Sequence, residues 1–496
     1  MDFLKISIGL LLTLILLRIS FTYLAKRGKK LPPGPTRLPI IGNLHLLGDQ
    51  PHKSLEKLAK KHGPIMSLKL GQITTVVISS SEMAKEVLQK QDLEFSSNRS
   101  VPNALYAHDH YKYSAVWLPA ASQWRSLRKV MNTNIFSVKR LDDNQHLRNK
   151  KVQELIDYCK KNSEKGEAVD VGRAAFRTTL NLLSNTIFSK DLTDPLSDSG
   201  KEFKELVENI MMVVGEPNLV DYFPILAKID PQGIRRRSTI HFGKLLQLIK
   251  DLIRERITSG ISQGGVSDVV DVLLTTSQET PEQIQMKHIE HMCLDLFAAG
   301  ADTTSSTLEW AMTELLKNPD KMKKTQNEIA QVIGKKNVIH ESDVAQLPYL
   351  RCVVKETLRM HTPIPFLVPR RVEQEVEVCG YTVPKGSQVL VNAWAIGRDE
   401  TTWKDAFTFL PERFWESELD IRGQDFELIP FGGGRRICPG LPLAVRMIHV
   451  MLGSLLNCFD WDSESGNSPD GLDMEDKFGI TLHKARPLLA IPSLRK

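Results

Sequence analysis

A chain of 496 residues with 41% hydrophobic and 25% charged side chains has a globular composition, which excludes collagen-like, disordered and multi-span membrane proteins. The formal net charge of +6 is concentrated at one end, because Lys5, Arg18, Lys26, Arg27, Lys29 and Lys30 face only Asp2 in the first thirty residues. The rest of the chain is nearly neutral, which excludes nucleic-acid binding by bulk charge, and six scattered cysteines without a C-x-x-C pair indicate free thiols in a reducing compartment.

Residues 3–24 are mostly Leu, Ile and Phe, long enough to cross a bilayer, and the basic cluster follows them with no small-x-small cleavage site in front. This predicts a retained single-pass membrane anchor with its basic flank over 1–30 and a cytoplasmic body. Arg18 costs about 2.5 kcal/mol if central, but near the basic end it can snorkel. Leu31-Pro-Pro-Gly-Pro35 and Pro39 form a stiff proline-rich hinge over 31–40, and 41–496 reads as one domain without repeats or linkers. Within it, apolar residues at helical spacing predict helices over His52–Lys61, Gln145–Lys161, Gly200–Val213, Phe242–Ser259, Pro281–Asn318 and Pro442–Phe459. Ile65–Leu70 and Thr74–Ile78 flank Gly71-Gln72 as a hairpin, and Val376–Val378, Tyr381–Val383 and Gln388–Val391 read as a second small sheet. The fold class is mainly α with small β-sheets.

Four local patterns carry chemistry. Trp124-Arg-Ser-Leu-Arg128 places Trp124 and Arg128 four apart, on one helix face. Ala299-Gly300-Ala301-Asp302-Thr303-Thr304 puts poor helix formers inside an apolar helix expected over Met286–Leu316, where glycine costs about 1 kcal/mol relative to alanine. A local rule broken in a core marks a site, and threonine hydroxyls there can divert backbone carbonyls. Glu356 and Arg359 lie three apart, a potential ion pair, upstream of Pro411-Glu-Arg413-Phe. The strongest pattern is Phe431-Gly-Gly-Gly434-Arg-Arg436-Ile-Cys438-Pro-Gly440, which leads into a helical run from Leu441. Its glycines let the backbone pass close to a flat cofactor, and a helix N-terminus just after Cys438 stabilises a thiolate. A lone thiolate, with no further Cys or His at ligand spacing, cannot build a zinc or iron–sulfur site but can be the single protein ligand of haem iron.

The Cys438 loop resembles the haem-binding signature of the cytochrome P-450 family, and the resemblance extends over essentially the whole chain. It implies the cytochrome P-450 fold behind the anchor, haem b with Cys438 as axial ligand, and Phe431, Gly434 and Gly440 shaping the cofactor loop. It also implies haem-propionate contacts from Trp124 and Arg128, with His361, Arg370 and Arg436 as further candidates, and a buried structural triad of Glu356, Arg359 and Arg413. Gly300 would leave room for O2, while Asp302 and Thr303 would hold and relay protons. Thr362 stands where relatives usually carry proline, a local change in the loop. The implied reaction is an O2-dependent hydroxylation with NADPH electrons delivered by NADPH-cytochrome P-450 reductase at the endoplasmic reticulum membrane. The runs Leu47–Ser54, Ser97–Ala107, Asp170–Phe176, Cys293–Phe297 and Glu427–Phe431 closely resemble plant members that hydroxylate geraniol to 8-hydroxygeraniol, which implies a small apolar terpene alcohol as substrate. Alignment with the family's substrate segments offers Val101, Leu105, Leu294, Phe297, Ala298, Ala301, Pro365, Leu367 and Ile480 as cavity residues. The alternatives are another terpenoid or a flavonoid as substrate, a haem-thiolate isomerase or dehydratase needing no external electrons, and a haem sensor or electron carrier. The Asp302-Thr303 pair argues against the isomerase.

Overall fold

Helices that turn an apolar face inward make up most of the molecule, and the computed structural model describes residues 30–194, 201–259, 268–280, 282–334, 338–464 and 471–495. The expected anchor over 3–24 lies outside the described residues. At the centre runs a helix over Met286–Lys317, buried on nearly every side. Gln285 and His288 close its start as a capping box, and Asn318 ends it immediately before Pro319, whose missing N–H cannot continue the ladder. Against it pack the helices Val171–Phe188, Leu441–Cys458 and Pro348–Met360. Val171–Phe188 is almost wholly buried, so it lacks the polar face that periodicity detects, and the sequence reading omitted it. Among the described residues Leu441–Cys458 is the one helix long and apolar enough to cross a membrane, but its apolar side chains are spent on the core.

The expected hairpin forms, with Ile65 opposite Ile78 and Leu70 opposite Ile73. The second sheet differs from expectation. Among the described residues Val376–Val378 pairs only with Tyr381–Val383, whereas Gln388–Val391 joins the first hairpin in parallel, Thr75 opposite Gln388 and Ile78 opposite Val391. A run such as Val389-Leu390-Val391, buried on both faces, suits an interior strand, and pairing across such a sequence distance is not visible locally. Arg370–Arg371 and then Asn98–Arg99 complete this five-stranded sheet, so that Arg370 and Arg99 stand directly opposite each other.

Glu356, Arg359 and Arg413 meet behind the central helix. Glu356 accepts hydrogen bonds from Arg359 Nε at 2.6 Å and Nη2 at 2.8 Å, from Arg413 Nε at 3.0 Å and from the Leu410 backbone N–H at 2.8 Å. The Arg359 Nη1 group donates to the carbonyls of Gly397 and Ala406. Both Glu356 and Arg359 are fully buried, a condition that ionised groups tolerate only when every donor and acceptor is answered.

Candidate active site

The Cys438 loop is held by its backbone. Gly434 adopts φ +67°, and a Cβ there would lie 1.9 Å from the Leu88 carbonyl oxygen, so glycine lets the loop press against its neighbour. The Cys438 N–H donates to the Phe431 carbonyl at 3.0 Å and closes the loop. Three residues later the helix Leu441–Cys458 begins. Burial pushes the Cys438 thiol up, opposed by hydrogen bonding from the Gly440 backbone, the charge of Arg128 and the Leu441 backbone. Cys438 is half-buried, and it lines an interior cavity of about 310 Å³. Cys438 is a free thiol, and among the described residues no cluster of His, Cys, Asp and Glu could hold a metal ion.

Four guanidinium groups stand at this cavity: Arg99, Arg128, Arg370 and Arg436. Burial, then the charges of Arg370, Arg436 and Arg128, hold Arg99 well below its ordinary value. Burial pushes Arg370 and Arg436 each down to about 10. Asp92 is the acid that faces them, 3.8 Å from Arg370 and closer to the exposed Arg435, at 3.1 Å. Arg99 Nε and Arg370 Nη1 are buried without a hydrogen-bond partner, while Arg99 Nη1 donates to the Val368 carbonyl. Arg436 donates to the Ser96 and Leu118 carbonyls, and Arg128 to that of Ile437. Buried cations in this number require anionic charge, and one partly engaged aspartate supplies too little. A flat group with two carboxylates and a metal to take the thiol sulfur fits this donor set, which is the description of haem.

The opposite wall is the middle of the central helix. Ala299 is exposed and Gly300 and Thr303 are half-buried, all toward the cavity, in a stretch of helix whose neighbours on both sides are buried. The Thr303 hydroxyl donates to the Ala299 carbonyl at 2.7 Å, leaving its oxygen lone pairs free to accept. Asp302, adjacent in sequence, faces away. Its Oδ2 lies 3.2 Å from His483 Nε2, and it does not line the cavity. Gly300 also serves packing, because a Cβ there would meet Leu183 Cδ1 at 2.8 Å.

The remaining candidates separate. Leu105, Leu294, Ala298, Leu367, Ile480, Phe431 and Gly440 line the cavity. Val101 and Pro365 line instead an adjoining outer cavity of about 580 Å³, which shares Leu367 and Ile480 with the inner one. Phe297 lines neither, because its ring packs between Phe188 and Phe203, and Ala301 is buried between helices. His361 does not reach the arginines. It stacks on Trp310 with centroids 4.0 Å apart and bonds Glu314 at 2.7 Å. Trp124 gives its indole N–H to the Ala115 carbonyl, so its contribution here is a ring face beneath Arg436, 4.9 Å from the centroid. The Thr362 hydroxyl back-bonds to Leu358. Arg99 and Asp92 were not anticipated, since a single arginine on a two-residue strand carries no signal until the sheet sets it opposite Arg370.

A family model for cytochrome P-450 matches residues 32–490. The chain is 73% identical to a geraniol 8-hydroxylase of Catharanthus roseus over 493 residues, covering 99% of this chain and all of that protein. It is 69% identical to a geraniol 8-hydroxylase of Swertia mussotii over 490 residues, 99% of each. A 7-ethoxycoumarin O-deethylase of Helianthus tuberosus is 57% identical over 492 residues, again 99% of each.

Proposed function

Because the chain belongs to the cytochrome P-450 family of haem-thiolate monooxygenases, we propose that it hydroxylates geraniol at the terminal allylic methyl, giving 8-hydroxygeraniol. The observation that carries the reading is the pairing of an unanswered arginine cluster with a single cavity-facing thiol, in a chain so similar to two geraniol 8-hydroxylases. Haem, when bound, supplies the activation of O2 that lets one oxygen atom enter a C–H bond.

The protein's own residues do the rest. Cys438 would ligate the iron through sulfur, and the helix start behind it favours the anionic form. Arg99, Arg128, Arg370 and Arg436 would hold the two carboxylates of the cofactor, with the face of Trp124 under Arg436. Because the Thr303 hydroxyl gives its hydrogen bond to the Ala299 carbonyl, Oγ1 is left able to accept one from a proton donor in the cavity and so to hold that donor in place. Asp302 is almost completely buried and His483 is partly exposed, so the pair can carry a proton from the outside to the far side of the same helix. Leu105, Leu294, Ala298, Leu367 and Ile480 exclude water and hold a ten-carbon chain by area burial, about 25 cal/mol per Å². Such a wall discriminates weakly between similar terpenes, so geraniol and nerol should both bind. Position of attack would be set by which carbon the cavity wall presents toward the Cys438 side.

Electrons come from NADPH through NADPH-cytochrome P-450 reductase, and residues 3–24 anchor the protein in the endoplasmic reticulum membrane with the body in the cytoplasm. The test is to incubate microsomes containing the protein and reductase with NADPH, O2 and a panel of terpene alcohols and flavonoids. The expected result is NADPH-dependent formation of 8-hydroxygeraniol. Efficient turnover of a flavonoid with none of geraniol would overturn the substrate while leaving the monooxygenase, and turnover without NADPH would overturn both.

A further inference from the structure

The segment 103–118 forms one wall of the cavity through Leu105, Ala115, Val116 and Trp117, yet it has little regular structure to hold it there. Its short helical turns are interrupted at Ala107, and the consecutive residues His108 and Asp109 adopt φ +51° and +57°. Left-handed backbone at non-glycine residues is strained and persists only where the surroundings over-determine it. Two helices supply those surroundings: on Ile234–Ser259 the Thr239 carbonyl lies 2.9 Å from His108 Nε2 and Phe242 packs on His110, and on the central helix stand His291 and Asp295, one turn apart, which the reaction does not otherwise use.

Asp295 answers the segment at three points. The Ser114 hydroxyl donates to Oδ1 at 2.9 Å and Oδ2 at 2.8 Å, the Ala115 backbone N–H donates to Oδ2 at 2.9 Å, and His110 Nε2 lies 3.1 Å from Oδ1. A carboxylate only accepts, so His110 Nε2 carries a hydrogen. The other nitrogen, Nδ1, is 2.8 Å from His291 Nδ1, and one hydrogen lies between the two rings. Burial, then the neighbouring His110, push His291 down to about 3, so that ring is uncharged. Ser114, His110, His291 and Asp295 are each more than nine-tenths buried. The Ala115 carbonyl meanwhile accepts from Trp124, so this residue is held on both sides. Both Asp295 oxygens are fully engaged by the protein, which makes the carboxylate a grip on the segment.

We propose that Asp295, with Ser114 and His110, is a specificity-determining positioning cluster: it locks the 103–118 segment in register with the central helix and thereby sets the pose of the terpene alcohol in the cavity. This rests on the substrate reading above. The helix side of the cavity contributes Leu294 and Ala298, which flank Asp295 in sequence, so a shift of the clasp moves the two walls relative to each other.

The test uses the haem-loaded, full-length protein and its Asp295→Asn variant, with Ser114→Ala as a second variant that keeps the charge and the Ala115 bond. Hydrogen–deuterium exchange over 103–118 reads the clasp without any substrate, and the ratio of 8-hydroxygeraniol to other hydroxylated products reads its consequence. In Asp295→Asn, exchange across this segment should be about tenfold faster, and the product ratio should fall about fivefold, with the reduced CO-bound absorbance band retained; Ser114→Ala should move both in the same direction by less. Unchanged exchange in a folded Asp295→Asn protein overturns the clasp. Faster exchange with an unchanged ratio overturns the specificity role and leaves a structural one. If Asp295→Asn does not fold, Ser114→Ala decides by the same two readouts. If the wild-type protein fails to hydroxylate geraniol, the substrate reading fails, and the ratio is then measured on whichever terpene is turned over.

Discussion

Two buried charge clusters in this molecule have opposite constitutions. Around Glu356, every charged atom of Arg359 and Arg413 that faces inward meets a carboxylate or carbonyl oxygen. Around Arg99, three of the four guanidiniums share a single aspartate, and two of their nitrogens are left without hydrogen-bond partners. The first cluster is complete as protein; the second leaves positive charge that a dianion in the cavity would answer. Burial of charge is therefore a structural device where it is answered and a binding device where it is not. Asp302 and His483 lie between these extremes, a nearly buried acid with one partly exposed partner.

The comparison breaks hardest at Glu356. Glu356→Ala leaves two guanidiniums without their carboxylate, a loss of about 3–5 kcal/mol, and should abolish folded protein whether or not haem is supplied. Recovery of soluble, haem-binding protein with an unchanged denaturation midpoint would contradict the structural role. Cys438→Ser acts only on the cofactor side. A hydroxyl is a far weaker iron ligand than a thiolate, so the reduced, CO-treated protein should lose its thiolate-type band, and a normal band would remove Cys438 as the ligand.

Arg99→Leu sharpens the contrast most directly. Removing an unpaired buried cation should leave the haem-free protein as stable as before or about 1 kcal/mol more so, while haem affinity falls about tenfold; denaturation of the apo form and haem-transfer titration measure the two effects. Equal destabilisation of both forms would place Arg99 with the Glu356 kind of cluster.

The smallest effect is a pH dependence. Burial disfavours the charged form of His483, but the charge and hydrogen bond of Asp302 outweigh it and raise the His483 pKa above its ordinary value. A raised folded pKa means that the stabilisation is fully present below about pH 6.5 and fades as the pH rises through the folded value. Melting temperatures of wild type and His483→Gln should thus differ by roughly 1–2 °C in mild acid and converge at alkaline pH. A difference that is flat or grows with pH would mean that the pair is not ionic.

How much of this could be read in the chain varied with locality. The helices Gln145–Lys165 and Met286–Lys317 were found within a few residues of their ends, because period and caps are local. The polar interruption around Thr303 was legible as a broken helix rule, but its neighbour's orientation was not: successive helical residues project about 100° apart, so Asp302 meets His483 while Thr303 meets the cavity. Phe297 and Ala301 sat in the right segment, and neighbouring helices took them up instead. His361 was offered as a propionate contact, and Trp310 and Glu314 on the central helix claimed it.

By itself the sequence determined the class of chemistry, since a positive-φ glycine loop, a lone cysteine and a helix start lie within a few consecutive residues, and their geometry depends on backbone that the same residues control. It also determined that the Glu356–Arg359 pair lies on one helix face. Only the tertiary structure decided which arginines share a cavity, because Arg99 and Arg370 meet through sheet pairing across more than half the chain. It alone decided that Asp295 grips Ser114 and His110, since a buried carboxylate takes whatever donors packing brings to it, and packing is a property of the whole molecule.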